Sequence, residues 1–159
     1  MLVLNTIEIQ SCDDLLKLIG LACSSNVWKD NAEYLYMENK MSLGEIPTYR
    51  EELYTMIYER LCNNGIFDDG LAYEVMEKAR RGYYAKAGEV DEYTALSLLQ
   101  IGFERDFIFF LEKINYMPSK AQGVSCLKYL IATMYYKLKY NKEYKEIIAD
   151  NTCGENGNV

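Results

Sequence analysis

Residues 116–139 read YMPSKAQGVSCLKYLIATMYYKLK, and from Lys120 onward the pattern is helical. Val124, Leu127, Leu130, Ile131, Met134 and Leu138 recur at steps of three and four, the period that lines up side chains along one stripe of an α-helix. Gly123 stands against that pattern. In a helix interior it costs about 1 kcal/mol relative to alanine, so the position asks for a reason that helix propensity does not supply.

Working outward from this stretch, the rest of the chain is also helical in pattern. It holds only two prolines, and its apolar residues recur at three- and four-residue steps rather than two. Ser11 with Asp14 three residues on resembles a capping box opening a helix over Leu15, Leu16, Leu18, Ile19 and Ala22. A second helix is expected over about 27–37. Thr48 with Glu51 reads as a capping box for a third, which the Cys62-Asn63-Asn64-Gly65 run stops. Asp68 and Asp69 open the next helix and Gly82 ends it, with Arg80 and Arg81 in its last turn. The acidic pair then meets the positive end of the helix dipole and the basic pair the negative end. Residues 83–90 read as a linker or frayed turn. Further helices are expected over about 91–99, 104–113 and 142–149. The first ten residues alternate weakly and suit a short edge strand or a packed arm. The expectation is an all-α, single compact array of seven or eight helices over residues 1–149, with a disordered polar tail over 150–159.

Composition excludes several chemistries. The chain has no histidine, which removes Ser-His-Asp and Cys-His catalysis and zinc sites that need imidazole. Five cysteines without a C-x-x-C pair argue against a disulfide framework and for small buried apolar side chains. No cofactor or metal is expected. No apolar run approaches a membrane span, and residues 1–10 lack the basic start of a signal peptide, so the expected location is cytoplasmic. The net charge of −7 is unevenly spread. Residues 1–77 carry five Lys/Arg against fourteen Asp/Glu, whereas residues 113–145 carry seven lysines against Glu143 alone. A basic stretch in an acidic chain suits phosphate or an acidic partner, and both charged stretches also read as solvated helix faces. The fifteen tyrosines, among them Tyr34, Tyr36, Tyr54, Tyr58, Tyr135 and Tyr136, fall at spacings that suit helix packing with the hydroxyl at the rim. Trp28 reads as a core anchor.

Five ordered motifs carry a resemblance. Leu15-Leu16-Lys17-Leu18-Ile19-Gly20-Leu21 looks like E-L-V-Q-I-S-G-L. Val27-Trp28 with Asn31-Ala32 matches V-W-x-x-N-A. Glu45-Ile46 and Arg50-Glu51-Glu52-Leu53 are similar to E-V-I-x-x-R-D-D-I. Val75 to Gly82 is similar to I-M-E-S-V-R-K-G, and Tyr116-Met117 with Lys120-Ala121 and Tyr135-Tyr136-Lys137 to Y-M-x-P-K-A-H-A-A-A-Y and the helix after it. Over roughly residues 11–140 the chain thus resembles the fingers region of PolC-type DNA polymerase III alpha subunits. The resemblance implies an all-α module that folds over the incoming nucleotide and the primer–template end. It places Arg80, Arg81, Lys120 and Gln122 near nucleotide or DNA phosphate, as weak or vestigial contacts. Arginine forks onto phosphate oxygens and lysine adds a point charge. Gln122 and Cys126 stand where the family has histidine and tyrosine, Ser119 where it has proline, and Tyr83 where it has a second basic residue.

The two-metal chemistry of a polymerase needs a D-x-D pair and a third carboxylate. Here the acidic pairs Asp13-Asp14, Glu51-Glu52, Asp68-Asp69 and Asp91-Glu92 are adjacent, and neighbours on a helix point about 100° apart. The expectation is a stand-alone, catalytically inactive fingers-like module connected with DNA replication, with DNA, dNTP or replication proteins as partners. The alternatives are one subunit of a split polymerase whose palm is encoded separately, and a helical adaptor docking through the acidic N-terminal half.

Overall fold

The computed structural model describes residue 7 and residues 9–154. The expected arm or edge strand at 1–10 lies largely outside the described residues; of the expected tail at 150–159, residues 155–159 lie outside them and residues 150–154 are helical, as the end of the last helix. Among the described residues the chain is all-α, with α1 (Cys12–Cys23), α2 (Glu33–Met37), α3 (Arg50–Asn63), α4 (Gly70–Arg80), α5 (Tyr83–Ala87), α6 (Glu92–Gln100), α7 (Arg105–Lys113), α8 (Lys120–Lys139) and α9 (Asn141–Gly154). Two compact units divide it, Met1–Val124 and Ser125–Val159.

In the first unit, the α1 capping box forms as expected. Ser11 Oγ accepts from the Asp14 N–H, and the Asp14 carboxylate accepts from the Ser11 N–H. Leu53, Ile57 and Leu61 face inward from α3, against Ala72, Val75 and Ala79 of α4. Phe103 and Phe107 stack at 4.1 Å and extend this core with Phe110 and Leu111. Trp28 is buried as the anchor expected of it.

Three local readings need correction. Residues 27–37 are not one helix. Between Trp28 and Ala32 the backbone leaves helical geometry, with Lys29 extended and Asp30 left-handed at φ 57°. This bend turns the buried Asn31 amide inward, where it donates to the carbonyls of Asn26 and Phe110 at 2.8 and 3.0 Å. The cap of α3 is displaced by one residue. Glu52, not Glu51, reaches back to the Thr48 N–H at 3.0 Å, which releases Glu51 for another role. Finally, 83–90 contains a helix. Left-handed Gly82 and Gly88 bracket α5, and its Tyr84 is fully buried.

Gly123 now has its reason. Tyr49, fully buried, lies against both Gly20 of α1 and Gly123 of α8, and its hydroxyl donates to the Leu16 carbonyl at 2.6 Å. A Cβ at Gly123 would sit 2.1 Å from Tyr49 Oη, and one at Gly20 would sit 2.8 Å from Tyr49 Cζ. The glycines are the sockets of one ring.

The run 115–118 is extended and tied at three places. Ser25 N–H donates to the Tyr116 carbonyl at 3.0 Å, Met117 N–H to the Arg80 carbonyl at 3.3 Å, and Arg50 N–H to the Pro118 carbonyl at 3.1 Å. Gly82 lies so close that a Cβ there would stand 2.5 Å from the Asn115 carbonyl oxygen.

The second unit holds the rest of α8 and α9. Lys139 donates to the Tyr135 hydroxyl at 2.7 Å, and the groove between the helices is lined by Tyr129, Thr133, Tyr136, Tyr144 and Ile147. The aliphatic stripe of α8 is left largely open: Leu130, Ile131, Met134 and Leu138 are all exposed.

Gly123→Ala tests the ring-and-socket arrangement. In a solvent-facing helix this change stabilises by about 1 kcal/mol. Here overpacking reverses the sign, with an expected loss of about 2–3 kcal/mol in urea unfolding. Gly44→Ala, whose added methyl meets only Ser42 Oγ at 3.9 Å, stays within about 0.5 kcal/mol. Equal behaviour of the two variants refutes the arrangement.

Candidate functional site

The residues singled out from the sequence fall at the ends of α4 and α8, around the first turn of α3. α8 begins directly after the extended run 115–118. Ser119 is its N-cap, its Oγ accepting from the Gln122 N–H at 3.3 Å. The serine that replaces proline here thus satisfies one of the donors a helix start leaves open. A second donor, the Lys120 N–H, gives to the Glu51 carboxylate at 2.8 Å. A helix N-terminus is a natural seat for phosphate. In this chain a carboxylate from α3 already occupies the first N–H.

The side chains repeat the theme. Lys120 Nζ is 3.3 Å from Glu52 Oε1, and Lys17 Nζ is 2.8 Å from Glu52 Oε2 while also donating to the Ile46 carbonyl at 2.6 Å. Arg80 forks onto both oxygens of Glu77, at 2.5 and 2.8 Å. Arg81 reaches the same carboxylate at 2.7 Å but remains 66% exposed. Arg50 Nε binds Glu51 at 3.0 Å. The Gln122 side chain is exposed, with only its backbone placed by the cap. The structure therefore gathers Arg80 with Arg81 on Glu77, and Lys120 with Lys17 on Glu52. Five cations are held by three carboxylates.

The carboxylates respond as their partners require. Burial pushes Glu52 upward, but the hydrogen bond and charge of Lys17, with the Thr48 N–H, outweigh it and leave the group below the usual range. Burial likewise works against Glu51, which the Lys120 N–H and Arg50 bring down. Glu77 is lowered first by the Arg80 hydrogen bonds, helped by the charges of Arg81 and Arg50. All three are carboxylates at neutral pH.

These acids are what sequence reasoning missed. Glu77 carried a usable signal, since it precedes Arg80 and Arg81 by three and four residues, the spacing of helix-surface pairs. Glu51 and Glu52 carried none, because their partner Lys120 is 69 and 68 residues away.

A curated DNA polymerase III PolC-type protein of Mycoplasma genitalium is 33% identical over 132 residues, 82% of this chain. The Mycoplasma pneumoniae protein of the same description is 30% identical over 132 residues, and that of Caldanaerobacter subterraneus 28% over 132. This chain is a relative of one segment of PolC-type DNA polymerase III. It spans only 8%, 8% and 9% of the length of these curated relatives. No protein-family model matches the chain. The resemblance drawn from the five motifs is to this polymerase, and the all-α fold agrees with the expectation that came with it. Among the described residues no helix is long and apolar enough to cross a membrane, and no group of three His, Cys, Asp or Glu is placed to hold a metal.

The lowered carboxylates set a pH dependence. A group whose folded pKa lies below its ordinary 4.5 stabilises above that value and loses its contribution as pH falls through the folded pKa. The urea midpoint is thus expected to hold from pH 7 to about 5 and to fall below about 4.5. Glu52→Gln loses about 1–3 kcal/mol at pH 7, because Lys17 is then half-buried without its counter-charge. It also flattens the acid slope. An unchanged slope in this variant refutes the assignment.

Proposed function

We propose that this chain is a fingers-like, replication-related module that contacts nucleotide or DNA phosphate only weakly and performs no phosphoryl transfer by itself. The observation that carries this reading is the occupation of the site by internal acids. Glu51 holds the first N–H of α8, Glu52 holds Lys120, and Glu77 holds Arg80 and Arg81. An incoming phosphate has to displace carboxylates that already satisfy the same donors, so its net gain is small. Similarity to PolC-type DNA polymerase III supports the replication context. The non-catalytic reading is supported by how the paired acids are used. Asp14 caps α1, Asp68 accepts from the Gly70 N–H, Asp69 accepts from the Tyr54 hydroxyl, and Glu51 and Glu52 serve the cations above.

Calorimetric titration with dNTP and with primer–template DNA at low salt tests the reading. The expected dissociation constants are about millimolar for dNTP, weakening further in Arg81→Ala plus Lys120→Ala. Glu51→Gln plus Glu77→Gln frees donors and strengthens DNA binding about tenfold. Absence of binding in wild type and in the glutamine variant alike removes nucleotide handling. Submicromolar binding that ignores Arg81 and Lys120 places the contact elsewhere.

A further inference from the structure

The stripe on α8 has the spacing of a seam. Leu127, Ile131, Met134 and Leu138 step by four, three and four residues, the a/d alternation of a coiled coil. Ile131, Met134 and Leu138 are 50%, 58% and 80% exposed. α9 does not account for them. The groove toward α9 is lined by Tyr129, Thr133 and Tyr136, and Thr133 lies about 200° around the helix from Ile131. Contiguous aliphatic exposure of this kind marks an interaction surface.

Charge narrows the occupant. Over its 20 residues α8 carries Lys120, Lys128, Lys137 and Lys139 and no Asp or Glu. With Ile131 at an a position, Lys128 and Lys137 fall at the e and g positions that flank the seam and select its partner. A second copy of α8 would set lysines against lysines with no acid to offset them. Nucleic acid would answer the lysines and leave Leu, Ile and Met uncovered. A helix with apolar a and d residues and Glu or Asp at e and g answers both.

We propose that the seam of Leu127, Ile131, Met134 and Leu138 docks an acidic amphipathic helix of another polypeptide against α8. The seam residues belong to the second unit and the acid-held cations to the first, so this inference and the proposed function stand or fall separately.

The test uses the full chain and fluorescein-labelled synthetic peptides of about three heptads, with Leu and Ile at a and d and either Glu or Lys at e and g. Fluorescence anisotropy is expected to show the Glu peptide binding about tenfold or more tighter than the Lys peptide, and weakening as salt rises. Ile131→Glu plus Met134→Glu reduces that affinity about tenfold or more. The thermal midpoint of the variant stays put, because both side chains are exposed. Lys128→Glu plus Lys137→Glu reverses the preference between the peptides. Three results overturn the proposal: no preference for the Glu peptide, displacement of that peptide by an oligothymidylate, or a concentration-dependent dimer in sedimentation velocity that the Ile131 and Met134 changes dissolve.

Discussion

Tyr49 is the constraint on which the first unit depends. Its ring stands where the side chains of Gly20 and Gly123 would be, and its hydroxyl is anchored on Leu16. One side chain therefore fixes α1 and the first turn of α8 to the start of α3. Backbone-to-ring contact permits closer approach than any side-chain pair, and close-packed interiors transmit such contacts with little slack. Glu51 and Glu52 follow Tyr49 by two and three residues. Once the ring is seated, their carboxylates are delivered to the N–H and ammonium of Lys120. The ionic arrangement is a consequence of the apolar one.

That order of dependence changes how the basic residues are understood. Cations in a relative of a polymerase segment invite a reading as phosphate ligands, and the family resemblance places Arg80, Arg81 and Lys120 in that role. In the folded chain Lys120 links α8 to α3, as Lys17 links α1 to α3, Arg50 braces the first turn of α3, and Arg80 and Arg81 stay local on Glu77 of α4. Such partly buried pairs add little net energy over a well-packed apolar contact, yet removing one partner is costly. They specify which helix ends meet.

The fold class was legible because helix signals are local. The Ser11-Asp14 box, the Asn64-Gly65 stop and the periodicity of α3 and α4 need only neighbours in sequence. The failures share a cause in tertiary contact. Asn31 bends its segment in order to reach the Phe110 carbonyl, 79 residues away. Glu52 takes the cap because Lys17 and Thr48 converge on it. Residues 83–87 coil because Tyr84 is drawn into the core between two left-handed glycines. At the candidate site the basic residues were legible through the family resemblance, whereas Glu51 and Glu52 were not, since nothing near them in sequence announces Lys120. Gly123 shows the intermediate case. Its misfit with helix propensity was visible, and its explanation was a ring 74 positions earlier.

The extended run 115–118 has a consequence for synthesis. Its bonds to Ser25, Arg50 and Arg80 close loops of tens of residues, and closure entropy is spent before such contacts return anything. A ribosome releases the chain from its N-terminus at about 5–20 residues per second. Helices α1 to α7 can coil as they emerge, but the Ser25, Arg80 and Arg50 backbone groups and the socket of Tyr49 stay unfilled until residues 116–123 clear the exit tunnel. The first unit thus matures late in its own translation. Until then the Tyr49 ring lacks the α8 glycine that covers it in the folded chain.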